Sequence, residues 1–217
     1  MRLLAWGEFL AGAGLTARRL TSERERGTLA LAMGSAESYQ MLAHTEVDCA
    51  AVVLCDQLAK TFEKKQAAQI VRVHFPTWGR CVAHAEHSDV DQYFAIVETV
   101  RVSDGATAHL TCGSTSPNPS EIAGEVRGHP VAEGFRIVGM TVANITGVCE
   151  RVRANAVKKG FDLSQRFLLP PDDPRSEEFF APFDEAFDRA ARLVAARRRV
   201  ERAIASGAFA AMPATPQ

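Results

Sequence analysis

The sequence predicts an α+β fold, with a central antiparallel sheet, an α/β segment before it and a long C-terminal helix after it. Three observations predict this. Phe94–Val102 and Ala106–Cys112 alternate in polarity on either side of Ser103-Asp104-Gly105. An Asp-Gly pair between two such runs marks a tight hairpin, because both residues tolerate positive φ. Next, Gly113-Ser-Thr-Ser-Pro-Asn-Pro-Ser-Glu121 places Asn118 as a helix cap, Pro119 at the first helical position and Glu121 at the third, a well-formed start signal. Finally, Phe179, Phe183, Phe187, Ala190 and Val194 recur every three to four residues and make one apolar stripe on a helix from Ser176 to about Ala205. Acids (Glu177, Glu178, Asp184, Glu185) crowd its start and arginines (Arg189, Arg192, Arg197, Arg198, Arg199, Arg202) its end, both placements complementing the helix dipole.

The other elements follow in order. Residues 3–20 have helical spacing in Leu3, Trp6, Leu10 and Leu15, but Gly7, Gly12 and Gly14 predict a weak or broken helix, since each glycine costs about 1 kcal/mol against alanine. Thr21–Gly27 reads as a charged connector, Thr28–Met33 as a short strand, and Ser35 as the cap of a helix reaching about His44. Cys49–Cys55 is a continuous apolar run, a buried strand or a buried helix segment. Asp56–Lys65 reads as an amphipathic helix with a basic C-terminus. Ile70–Phe75, stopped by Pro76, and Arg80–Glu86 are expected strands; the last strand is Gly134–Ala143. The helix opened at Asn118 is expected to end near Gly128, and residues 146–160 to form a basic helix with Arg151, Arg153, Lys158 and Lys159. Leu168–Pro174 holds three prolines and reads as a linker. The expected organisation is an N-terminal segment over 1–66, a β-rich core domain over 67–160, and a linker with helix over 161–217.

Composition bounds the function. A hydrophobic fraction of 47% supports a real core, and a net charge of −1 means that any nucleic-acid role needs a local basic patch. Five cysteines, an odd number with no CxxC pair, argue for a reducing compartment and against a disulfide framework. Met1–Glu8 reads as no secretory signal, and no apolar run reaches the roughly 18 residues that span a bilayer. The expectation is a cytoplasmic protein without membrane attachment. No cofactor motif is read.

Several residue groups carry candidate chemistry. Cys81-x-x-His84-x-x-His87, near Asp89 and Asp91, is the densest set of metal-ligand types. Its spacing fits no standard zinc site, and on a strand Cys81 and His84 point to opposite faces, so a solvated strand end is the favoured reading. Gly113-Ser114-Thr115, between a strand and a helix, can offer N–H groups and hydroxyls to an anion, although it lacks the length and lysine of a P-loop; loop and capping chemistry is the favoured reading. Cys112 and Ser114, with His109 and His129, could supply a nucleophile and a base, but Cys112 alternates in phase with Leu110 and reads as a buried small hydrophobe. No catalytic residue is assigned. Arg72, Arg80, Arg101, Lys158 and Lys159 could contact a phosphate backbone, with Trp78, Tyr93 and Phe94 near strand ends as stacking platforms.

Five short strands with a small helix before the last resemble an OB-like barrel, except that the helix falls between the fourth and fifth strands rather than the third and fourth. Tyr93–Ala143, in which an alternating strand ends in Cys112-Gly-Ser-Thr115 before a short helix and a final strand, resembles single-stranded-DNA-binding-type proteins of phages and plasmids of high-GC bacteria. That resemblance implies a non-enzymatic single-stranded nucleic-acid-binding protein active in replication or recombination. The alternative is a structural or assembly subunit, virion or complex, that docks through the phenylalanine stripe of its C-terminal helix, which would also serve a homo-oligomer.

Overall fold

The computed structural model describes residues 3–32, 44–127, 134–164, 166, 168–182, 184, 185 and 189. The chain divides into one compact unit over Met1–Glu177 and a second over Glu178–Gln217. The protein is α+β, with two small antiparallel sheets.

Strand β1 (Leu3–Leu4) pairs with β2 (His44–Thr45). Between them lie α1 (Trp6–Ala13) and α2 (Ala17–Glu25). Gly14, at φ +67°, ends α1, so the helix expected over 3–20 is indeed broken there. Part of the expected charged connector is helical instead: Thr16 caps α2 by accepting from the Arg19 amide, and Arg19 pairs with Glu23 one turn on. The strand expected at Thr28 is not one. Residues 29–32 are buried, and the Ala32 amide donates to the Asp48 carboxylate at 3.0 Å rather than to a ladder. Met33 and the helix expected from Ser35 lie outside the described residues.

Helix α3 (Glu46–Leu58) resolves the ambiguous Cys49–Cys55 run as a buried helix. Thr45 and Asp48 form a reciprocal capping box at its start. It packs against α1, α4 (Lys64–Val73) and α7 (Ile145–Val157). The amphipathic helix expected over 56–65 is instead split, because α3 stops at Leu58 and Lys64 opens α4. A lysine there opposes the helix dipole. The Lys64 ammonium offsets this by bonding Asp56, which the Arg19 guanidinium also grips at 2.7 and 2.8 Å.

The largest correction concerns residues 70–87. Both expected strands give way to helix, the first running from α4 through His74 to the first residue of α5 (Phe75–His87) and the second lying within α5, with Pro76 in the first turn of α5. The buried set Ala67, Ile70, Val71, Phe75, Trp78, Cys81 and Val82 repeats at three to four residues, so burial follows helical rather than strand periodicity.

The second sheet has three strands in the order β4-β3-β5, built from β3 (Tyr93–Arg101), β4 (Thr107–Ser114) and β5 (Phe135–Asn144). The hairpin stands where Asp104-Gly105 placed it, with Gly105 at φ +69°. Helix α6 (Pro119–Arg127) starts as expected, Asn118 Oδ1 accepting from the Ser120 amide at 3.0 Å. Its Ile122 and Val126 pack on Ala95 and Val97 over one face of the sheet, with Leu110 and Cys112 alongside. Helices α5 and α7 pack against β3 from the other side, and α5 also meets β4. The five-strand barrel loses two of its strands to α4 and α5, and the described sheet is open, with β4 and β5 at its edges.

A helix begins at residue 174 and is described through 182. Phe183, Phe187 and the arginines beyond Arg189 lie outside the described residues. Among the described residues no helix is long and apolar enough to cross a membrane.

Candidate functional site

A cleft of about 500 Å³ opens where the end of β4 meets α5 and α6. That volume lies within the range of small-ligand sites. Thr77, Arg80, Cys81 and His84 come from α5, at spacings that put all four on one helical face. Gly113, Ser114 and Thr115 come from the end of β4, Gln92 from the turn before β3, and Glu125 from α6.

Each wall has a local cause. Gly113 lets β4 approach α5 closely: a methyl group there would sit 2.6 Å from Cys81 Sγ. Cys81 Sγ in turn donates to Tyr93 O at 3.6 Å, tying helix to strand. Gln92 is buried, its side-chain amide donating to Val90 O and its backbone amide to Thr146 Oγ1. Ser114 is buried and accepts from the Ser116 amide at 3.1 Å, which shapes the turn into α6. Arg80 Nη1 donates to Pro76 O at 3.3 Å, and His84 is exposed.

Neither Ser114 nor the cysteines at the cleft are arranged as an activated nucleophile. Ser114 Oγ lies 3.5 Å from Glu125 Oε1, long for an O–H···O bond, and its hydroxyl already closes the turn. Burial pushes the Cys81 thiol up to about 12 and the Cys112 thiol up to about 11, which keeps both protonated at neutral pH. Cys112 is partly buried against the α6 cluster, close to its expected role. All five cysteines are free thiols.

The residues expected from sequence scatter. Arg80 lines the cleft. Tyr93 is partly exposed and pairs in register with Ser114, which places it beside the cleft. Trp78 and Phe94 are fully buried and offer no face to a base; the Trp78 indole donates to Val71 O at 2.7 Å. Arg72 bonds Ala68 O on its own helix. Arg101 pairs with Asp104 and lies over the Phe135 ring, at the hairpin end of β3 and about 26 Å along the strand from Tyr93. Lys158 and Lys159 are exposed just beyond α7. Helical geometry overturns the opposite-face argument for Cys81 and His84, which share the cleft. His87 instead bonds Leu168 O at 2.9 Å and Arg166 at 2.8 Å. Among the described residues no group of three or more His, Cys, Asp or Glu is placed to hold a metal ion. Thr77, Gln92 and Glu125 were missed from sequence. The polar spacing 77-80-84 was a legible signal, hidden by the expectation of a strand.

Comparison with protein-family models, with curated proteins and with solved structures found no match for this chain.

Proposed function

We propose that the protein is a non-enzymatic binding protein for single-stranded nucleic acid and that the cleft at the end of β4 receives the strand. The observation that carries this reading is the juxtaposition of Arg80 and His84, on one face of α5, with the hydroxyls of Ser114 and Thr115. Guanidinium, imidazole and hydroxyl donors are the groups that hold phosphate oxygens. Tyr93 beside Ser114 supplies the stacking surface that the buried Trp78 and Phe94 do not. The exposed Lys158 and Lys159 add phosphate contacts elsewhere on the surface. The segment that carries the resemblance to single-stranded-DNA-binding-type proteins, Tyr93–Ala143, spans β3, β4, α6 and nearly all of β5. A role in replication or recombination of a phage or other mobile element rests on that resemblance alone.

The test is fluorescence anisotropy of a labelled single-stranded oligonucleotide at about 50 and about 200 mM salt. Three phosphate contacts predict roughly a tenfold or greater loss of affinity across that interval. Binding that ignores salt, or no binding at low salt, contradicts the reading.

A further inference from the structure

The cleft is not uniformly cationic. Its α5 wall carries Arg80 and His84, while the α6 wall carries the exposed carboxylate of Glu125. The lining also holds a buried amide, Gln92, and a buried hydroxyl, Ser114. A site built only to grip phosphate gains nothing from a carboxylate, which repels the anion. A carboxylate and a guanidinium lining one small cleft suit a ligand with an anionic end and a hydrogen-bond-donating end. One nucleotide has both. Its phosphate matches Arg80 and His84, and the exocyclic amine of cytosine or adenine is a donor that a carboxylate accepts. Thymine and uracil present a carbonyl oxygen at the corresponding position, which Glu125 would repel.

We infer that the cleft seats a single nucleotide with its phosphate on the Arg80–His84 wall and an amine-bearing base, cytosine or adenine, against Glu125. This rests on the nucleic-acid reading above. The volume of about 500 Å³ sets the scale at one small ligand rather than a run of bases. Tyr93, next to Ser114 in register, lies where a neighbouring base could stack. Selection among bases is therefore confined to one position per protein, and the rest of the strand is held without preference.

The experiment compares anisotropy titrations of labelled dC, dA and dT homo-oligomers of equal length, with wild type and with Glu125→Gln. Glu125 is exposed on α6, so the variant keeps its fold, which circular dichroism checks. The expected result is five-fold or greater preference for dC and dA over dT, in the range of one good base contact. That preference should fall to within about two-fold in Glu125→Gln, because an amide can donate to the thymine carbonyl as well as accept. Competition by free dCMP identifies the source of the ligand: displacement at concentrations comparable to the oligomer marks a mononucleotide site, and weak displacement marks a strand site, the base preference standing in both. Equal affinity of wild type for dC and dT overturns this inference and leaves the nucleic-acid reading intact. Binding of none of the three overturns both.

Discussion

Helix α5 treats charge in opposite ways on its two sides. Towards α7 it buries Glu86, whose side chain is 0% exposed and meets Arg153 at 2.5 Å. Towards the end of β4 it lines an open cleft with Arg80 and His84. A buried ion must be paired or it destabilises the fold, whereas Arg80 is part-exposed and His84 exposed. Charge on the first side is buried within the fold, and the residues on the second line the cleft proposed above to receive a ligand. Substitutions on the two sides should therefore separate stability from binding.

The largest effect is expected at the dry face of the same helix. Trp78→Ala removes a fully buried ring and orphans Val71 O, and should lower stability by about 3–5 kcal/mol in urea denaturation. Arg153→Met should cost about 3 kcal/mol by removing the cation paired with the buried Glu86 carboxylate, while the double variant Glu86→Gln/Arg153→Met, measured the same way, should recover at least half of that loss. Equal losses in the single and double variants would show that packing rather than charge dominates this side.

His74, at the junction of α4 and α5, gives the comparison a pH dependence. Burial, and then the nearby His109, push its imidazole down to about 4, while Thr111 Oγ1 sits 3.0 Å from Nδ1. The unfolded chain takes up a proton near pH 6.5 that the folded chain refuses until about pH 4. Stability contributed here is therefore complete above pH 6.5, lost as pH falls from 6.5 to about 4, and constant below that. The whole change is on the order of 3 kcal/mol. His74→Gln should flatten that part of a stability-versus-pH curve.

A smaller effect is expected where strand and helix touch at the cleft. Gly113→Ala drives a methyl group to 2.6 Å from Cys81 Sγ and should cost about 1–3 kcal/mol. Adding Cys81→Ala should recover part of it, which a double-mutant cycle would resolve; strict additivity would mean that the contact is not the cause.

What was legible in the sequence was what local chemistry decides. Asp104-Gly105 set the hairpin and Asn118-Pro119 set the start of α6, because turns and caps are fixed within a few residues. Ile70-Val-Arg-Val-His-Phe75 was misread because a short alternating run satisfies both periods, and only its burial together with Ala67 and Trp78 shows that the helical one prevails. The site was half legible for the same reason. Gly113-Ser114-Thr115 stood out as a strand-to-helix junction and Arg80 as a cation. Gln92 and Glu125 join them only through tertiary packing across α5, β4 and α6, which no local pattern records.

The proposed ligand-binding role of the cleft side of α5 is tested most directly by the oligonucleotide affinity of Arg80→Gln against wild type, with the urea midpoint recorded on the same samples. The expected result is affinity weakened about five- to tenfold, the scale of one charge-assisted contact, with the variant still folded under the assay conditions. Unchanged affinity with a lowered midpoint would contradict it and place Arg80 among the residues that hold the fold.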